Sequence, residues 1–182
     1  MTRTTPRTTP ATATQTKTEA GSEDLRHMFR EAMASLAATA CLVTAREGDR
    51  RLGRTVTATF SLNVNPPRIL VSVAATSALA AMVQRKGAFS FAMLAEDQAT
   101  VADAFAGKTA AERRFEHGDW AQWSSGHPRL LGAVASMDCV VAGEIELEGH
   151  ILFVGAPHQM ALDAGRPPLV WHHRRYNSVQ PL

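Results

Sequence analysis

The sequence predicts a mainly β chain, closed or partly closed into a barrel, with a few short flanking helices. Short apolar or alternating segments recur along most of its length, separated by Gly and Pro turns. Helical spacing is confined to brief stretches, and strand and helix do not alternate regularly as a doubly wound sheet requires. At 182 residues, with 45% hydrophobic and 20% charged side chains, the chain is sized for one globular domain.

Residues 1–21 are Thr-rich, hold Pro6 and Pro10, and have almost no large apolar side chains. Such a segment cannot bury enough surface to offset the entropy of ordering, so it reads as a disordered tail ahead of a folded domain over 22–182. Ser22 suits a helix cap, with Glu23 and Asp24 favouring the positive end of the dipole. Leu25, Met28, Phe29, Ala32 and Leu36 follow at helical spacing, which predicts one buried face.

The period then changes. Thr39 to Ala45 is a short apolar run, Glu47 to Arg51 a polar turn around Gly48, and Leu52 to Phe60 alternates apolar residues with Gly53, Thr55, Thr57 and Thr59. These segments read as a hairpin with one wet or ligand-facing side. Pro66 and Pro67 interrupt the chain before a buried strand over Arg68 to Ala75. A helix capped by Thr76 or Ser77 follows to Arg85, then a strand from Ala88 to Leu94 and a short helix from Asp97 to Phe105. Gly107 supplies a natural left-handed end for that helix. Strands over Leu130 to Leu147, His150 to Asp163 and Pro168 to Tyr176 complete the chain, parted by Glu148-Gly149 and by Gly165 to Pro167.

Charge narrows the function. The net +2 comes from Arg3, Arg7 and Lys17 against Glu19 in the tail, and the rest of the chain holds equal numbers of basic and acidic side chains. A phosphate-tracking nucleic-acid binder carries its basic excess on the folded module, so no nucleic-acid partner is expected. The longest apolar stretch, Ile69 to Val83, is broken by Ser72, Thr76 and Ser77 and falls short of the roughly 20 residues that span a bilayer. No membrane association is expected. The amino terminus lacks a secretory apolar core, and Cys41 and Cys139 lie inside apolar runs as reduced thiols, so a cytoplasmic location is expected.

Familiar catalytic signatures fail. Ala106-Gly107-Lys108-Thr109 resembles the end of a phosphate-binding loop, but Ala102 stands where that loop needs its first glycine. No GxGxxG, HExxH, CxxC or GxSxG pattern occurs, so Rossmann binding, a dedicated zinc site and serine-hydrolase chemistry lack support. If His172 and His173 lie in a strand they point to opposite faces, which prevents joint chelation.

What remains is an ordered set of fragments. Phe29-Arg30-Glu31-Ala32-Met33, Leu42-Val43-Thr44, Gly53-Arg54-Thr55-Val56-Thr57-Ala58, Ser61-Leu62 and Pro66-Pro67 come first. Ser77, Phe89, Phe105-Ala106-Gly107, Arg114-Phe115, Gly126-His127-Pro128, Asp138-Cys139, Gly149-His150, Val154-Gly155 and Pro168-Leu169 through Tyr176 continue it. Over about residues 25–177 the set resembles the flavin reductase family, whose fold is an FMN-binding split β-barrel with Greek key connections. The resemblance implies a short-chain NAD(P)H:flavin oxidoreductase that reduces FMN or FAD with NADH or NADPH. It further implies a separate flavin-dependent monooxygenase served by diffusion of the reduced flavin, and a homodimer with flavin at the subunit interface.

By family position Arg54, Thr55, Val56, Thr57, Ala58, Ser72, Val73, Ala74, Ser77, Ala78, Ala106, Gly107 and Lys108 line the flavin pocket. Alternation alone makes the threonines only the solvated face of a half-buried strand. The resemblance instead makes them phosphate donors, alongside the backbone N–H groups of a helix start. His150 falls beside the nicotinamide nucleotide and is assigned a positioning role in catalysis, without obligatory proton transfer. Arg174, Arg175 and Tyr176 reach the nicotinamide cofactor or a partner subunit, or stay solvated at an edge. Two positions depart from the family: Asn65, where Asp usually precedes the proline pair, and Ala92, where an Asn amide is expected to anchor the pocket. The alternative reading is a non-catalytic FMN-binding or electron-transfer split-barrel protein. An oxidase of the pyridoxamine phosphate type is disfavoured, because the domain's lysines are only Lys86 and Lys108.

Overall fold

The computed structural model describes residues 13–180 and 182. The chain divides into two units, Met1–Leu36 and Ala37–Leu182. In the first, helix α1 spans Ala13–Ala34 and so begins ahead of the cap predicted at Ser22. Ser22 is a helix-interior residue whose Oγ accepts a hydrogen bond from Arg26 Nη2, one turn on, at 3.3 Å. Of the tail expected over residues 1–21, residues 1–12 lie outside the described residues and Ala13 to Gly21 are helical. The apolar stripe is not buried as its spacing suggested: Leu25, Met28, Phe29 and Leu36 are 68%, 61%, 63% and 62% exposed. Amphipathic spacing marks a face as apolar without saying what packs on it.

The second unit is the expected mainly β split barrel. Its strands are β1 (Ala38–Thr39), β2 (Cys41–Glu47), β3 (Arg50–Val56), β4 (Thr59–Val64), β5 (Pro67–Ala74) and β6 (Ala88–Met93). They continue with β7 (Trp120–Gln122), β8 (Pro128–Leu130), β9 (Ala135–Leu147), β10 (His150–Leu162), β11 (Val170–His172) and β12 (Arg175–Asn177). Helix α2 (Ala78–Lys86) joins β5 to β6, and α3 (Ala99–Asp103) follows β6. A seven-stranded sheet runs in the order β3-β2-β6-β9-β10-β5-β4, beside small sheets β1-β11-β12 and β7-β8.

That order explains why the barrel is split. Strands β3 and β4 are consecutive in sequence yet occupy opposite edges of the sheet. Only Thr57 and Ala58 separate them, a span of roughly 10 Å at full extension. The sheet must therefore curl until its edges adjoin, and chain rather than a hydrogen-bonded ladder links them. The single strand predicted over Leu52 to Phe60 thus breaks at Thr57. The predicted strand Leu130 to Leu147 also divides, into β8 and β9, at a turn where Gly132 has φ 67°.

The last predicted strand becomes the β11–β12 hairpin, with His173 and Arg174 in its turn at φ 47° and 60°. His173 is therefore not in a strand. Instead of facing opposite ways, the His172 and His173 rings lie with centroids 4.1 Å apart.

Two apolar clusters flank the inner strands. Cys41, Val43 and Ala45 of β2 pack with Val71, Val73, Phe89, Phe91, Ile151 and Phe153, and α2 adds Leu79, Ala80, Met82 and Val83. Ala40, Leu42 and Leu94 face the other way, toward Val101, Ala102, Phe105 and Leu130. Burial on both faces is why β2 reads as a continuous apolar run rather than an alternation. Full burial of each large side chain contributes about 1.5–3 kcal/mol. Both thiols are buried and free, and burial pushes Cys41 and Cys139 up to about 12. Among the described residues no helix is long and apolar enough to cross a membrane.

The β4, β5, β10 and β9 part of the sheet has an outer face that is open toward its ends, while Leu70 on it is buried and Leu152 and Val154 are half-buried. Phe60 is opposite Leu70, which pairs with Val154, and Leu152 is opposite Ile145, so these side chains share the face turned from the core. Phe60, Ile145 and Leu147 are 55%, 52% and 54% exposed.

Candidate active site at the barrel seam

Where the two sheet edges meet, a cavity of about 630 Å³ opens. Edge strand β3 and the seam contribute Arg54, Thr55, Val56, Thr57 and Ala58 to its wall. Ser72, Val73 and Ala74 enter from β5, Ser77 and Ala78 from the start of α2, and His150 from the start of β10. The structure thus brings eleven sequence-selected residues to one hollow.

Local chemistry positions each part. Ser77 is the N-cap of α2, extended at φ −79° and ψ 144°, and its Oγ accepts the Ala80 N–H at 3.1 Å. The neighbouring N–H groups at this end have no partner within the helix and carry its positive partial charge. His150 follows a two-residue hairpin turn in which Glu148 and Gly149 have φ 49° and 78°. Positive φ at both positions matches the twist of a β-hairpin, and Gly149 adopts it without a Cβ penalty. The Gly149 carbonyl accepts the Ala75 N–H at 2.9 Å, which ties this turn, and so His150, to the segment leading into α2. His150 itself is exposed.

Thr55 has a second commitment: its hydroxyl donates to the Ala102 carbonyl at 2.7 Å and fixes β3 to α3. Gly53 allows close approach, since a Cβ there would lie 2.7 Å from Phe105 Cε1. The Phe105 ring meets Phe115 edge-on at 4.9 Å, so this wall is rigid aromatic packing.

The remaining sequence-selected residues lie elsewhere. Ala106 and Tyr176 line a separate hollow of about 130 Å³, which shares Thr55, Val56 and Thr57 with the main cavity. The Tyr176 hydroxyl donates to Asp103 Oδ1 at 2.7 Å, and burial together with that carboxylate pushes its pKa up. Its hydroxyl is therefore committed, and the ring is what it offers to a ligand. Burial opposes charge on Asp103, but hydrogen bonds from Lys108 and Tyr176 outweigh it and hold the carboxyl below the usual range. Lys108 pairs with Asp103 at 2.9 Å, Gly107 turns at φ 109°, and Arg174 sits in the β11–β12 turn; none of the three lines either hollow.

Sequence reasoning did not select Arg50, Leu52, Gly53, Leu79, Ala111 and Arg114, which also line the cavity. Period-two spacing from Arg54 was a usable signal for Leu52 and Arg50. Arg114 depends on the tertiary placement of the 3-10 turn Ala111–Glu116 and had no such signal. Neither family departure lies at the cavity. Ala92 is buried in the second cluster with Leu42 and Phe105, and exposed Asn65 accepts an Asn63 amide hydrogen bond at 2.9 Å through its carbonyl. In this chain the Ala92 side chain therefore packs in the core and contributes nothing polar to the cavity wall.

The lining holds three guanidinium groups, from Arg50, Arg54 and Arg114, and no carboxylate among the described residues. With hydroxyls and a helix start beside apolar Val56, Val73 and Leu79, it suits a flat apolar ring system bearing an anionic tail.

Comparison with known proteins gives a consistent picture. Residues 33–180 match the model of the flavin reductase like domain. An NADH-dependent FMN reductase, RutF, of Ancylobacter novellus is 32% identical over 154 residues, covering 85% of each chain. The reductase component of 4-hydroxyphenylacetate 3-monooxygenase from Salmonella typhimurium is 32% identical over 160 residues, covering 87% of this chain and 94% of its own. Among solved structures, BorF, the flavin reductase component of a bacterial two-component tryptophan halogenase, matches with a TM-score of 0.77 at 26% identity. The match covers 86% of this chain and 99% of that one. Since the family match runs through both clusters and every wall of the seam cavity, the chain belongs to the flavin reductase like domain family.

Proposed function

We propose that this protein is an NAD(P)H:flavin oxidoreductase that reduces FMN or FAD and supplies the reduced flavin to a separate monooxygenase. The observation that carries the reading is the seam cavity: a helix start, hydroxyls and guanidinium groups beside an apolar wall, on a chain of this family. Both curated relatives described above support it by name, as an NADH-dependent FMN reductase and a monooxygenase reductase component.

When bound, the two cofactors supply the redox chemistry themselves, a hydride passing with its electron pair from nicotinamide C4 to flavin N5. The chain's own task is placement. Ser77, Thr57 and the N–H groups opening α2 hold a phosphate, while Val56, Val73 and Leu79 exclude water from the ring face. His150, at the cavity mouth, orients the nicotinamide nucleotide. No side chain is required as a nucleophile.

The exposed apolar faces of α1 and of the outer sheet support a homodimer, because patches of this kind mark association surfaces. Two buried reduced thiols suit a cytoplasmic location.

Purified protein mixed with NADH or NADPH and excess FMN or FAD tests the reading through loss of absorbance at the nicotinamide band. Flavin-dependent oxidation with at least one donor is expected. Tight flavin binding without turnover would establish the non-catalytic reading instead, and neither binding nor turnover would remove both.

A further inference from the structure

Three arginines line one cavity whose wall holds no carboxylate among the described residues, and the acids of the neighbouring segments are bonded to other cations. Glu47, at the other end of the turn from Arg50, is held by Arg85 at 2.8 Å. Glu116, two residues from Arg114, is held by Arg113 at 3.0 Å. Asp103 is held by Lys108 at 2.9 Å. Each of these acids is bonded to a cation outside the lining, and although Glu47 still feels the charge of Arg50, no carboxylate among the described residues is in a salt bridge with Arg50, Arg54 or Arg114.

The arrangement also has direction. Arg50 and Arg54 are four residues apart on one face of β3, a separation of roughly 13 Å along the strand. Arg51, on the opposite face, lies over the Phe115 ring at 4.4 Å from its centroid, which holds the turn bearing Arg114 against the hairpin bearing Arg50. Arg114 is further fixed by its Nε, which donates to the Thr109 carbonyl at 3.2 Å. A phosphate at the start of α2 would carry about two negative charges and meet Ser77 and the helix N–H groups there, leaving a further phosphate to be met elsewhere on the wall.

We infer that Arg50 and Arg114 form a second anion subsite, which takes a phosphate group beyond the one held at the start of α2 and so favours the ligand of each cofactor pair that carries the extra phosphate. The inference rests on the proposed flavin reductase reading and names the substrate feature that its site selects. The extra phosphate has two sources of the same chemistry, the second phosphate of FAD or the ribose phosphate that distinguishes NADPH from NADH.

The test measures dissociation constants for FMN and FAD by flavin fluorescence, and for NAD+ and NADP+ by competition. It uses the full chain and its Arg50→Ala, Arg114→Ala and doubly substituted forms, with Arg50→Gln and Arg114→Lys as milder variants should the alanines fold poorly. A loss of tenfold or more for FAD with less than twofold for FMN assigns the subsite to the flavin. A loss of that size for NADP+ with less than twofold for NAD+ assigns it to the nicotinamide nucleotide. Losses shared in full by FMN and NAD+, or no loss for any ligand, overturn the inference. If the unsubstituted protein binds neither flavin and oxidises neither nicotinamide donor, the functional reading itself fails, an outcome separable from failure of the subsite alone.

Discussion

His158 Nε2 lies 3.2 Å from Oδ2 of Asp138, a carboxylate with no exposed surface. Asp138 sits in β9 between Ser90 of β6 and Gln159 of β10, and neither of its carboxylate oxygens has an aligned hydrogen bond. The half-exposed imidazole of His158 is the polar side chain set against it, and the contact is ionic when that ring carries a proton. A buried charge served mainly by one group makes that group costly to lose.

His158→Ala is expected to lower unfolding stability by about 2 kcal/mol, because it strands a buried charge. Urea denaturation near neutral pH measures this. Asp138→Asn on the His158→Ala background should recover part of the loss, and an unchanged midpoint in the single variant would show that the carboxyl is buried in its neutral form.

Acid should weaken the fold through His127. This side chain is 2% exposed and its Nδ1 accepts the Arg46 N–H at 3.1 Å. Burial holds its pKa below the ordinary histidine value, although the Asp138 charge pulls the other way. The unfolded chain therefore binds a proton first on acidification, so the stability contribution is intact above about pH 6.5 and is lost as pH falls through the folded-state value. Urea midpoints taken from pH 7.5 down to 5.5 should decline, and His127→Gln should flatten that decline.

Ser77 has two separable duties. Ser77→Ala should cost about 1 kcal/mol of stability through loss of the cap. Ser77→Asp keeps a capping oxygen but sets a carboxylate where a phosphate is to bind. It should melt near the parent temperature while weakening flavin binding at least tenfold, as read by fluorescence titration; unchanged flavin affinity would remove Ser77 from the phosphate site.

Gly155→Ala is expected to destabilise by about 1–3 kcal/mol through overpacking. Its Cβ would lie 2.6 Å from Phe89 Cζ, and Phe89 is fully buried with no room to withdraw. Thermal unfolding checks this, and a parallel Gly143→Ala variant, whose Cβ meets nothing within 4 Å, serves as the control.

His150→Ala should raise the Michaelis constant for the nicotinamide donor more than that for flavin. Steady-state titration of each against saturating levels of the other makes the comparison. Equal effects on both would remove the positioning role assigned to His150.

Much of the barrel was legible in the sequence because its signals are local. The Ser77 cap, the Glu148-Gly149 turn and the apolar run of β2 each express a backbone requirement within a few residues. The break at Thr57 was hidden because a change of sheet edge leaves the Thr alternation intact. The fate of the α1 stripe was hidden for another reason: spacing reveals that a face is apolar but not what covers it. At the site, residues joined by strand periodicity or a helix start gathered as expected. Arg114 and the separate placement of Tyr176 depend on how distant turns fold back, which periodicity does not encode.

The seam between β3 and β4 bears on how ligands come and go. Widening a fully laddered barrel would break several backbone hydrogen bonds at once and expose their donors and acceptors. Here the two edges are tethered by Thr57 and Ala58, whose carbonyls accept single hydrogen bonds from Thr59 and Ser72, each at 3.0 Å, so widening the seam puts isolated bonds rather than a ladder at stake. On the proposed function, in which two bulky cofactors must enter, such a seam sets the most yielding part of the barrel beside the cavity and apart from the two apolar clusters.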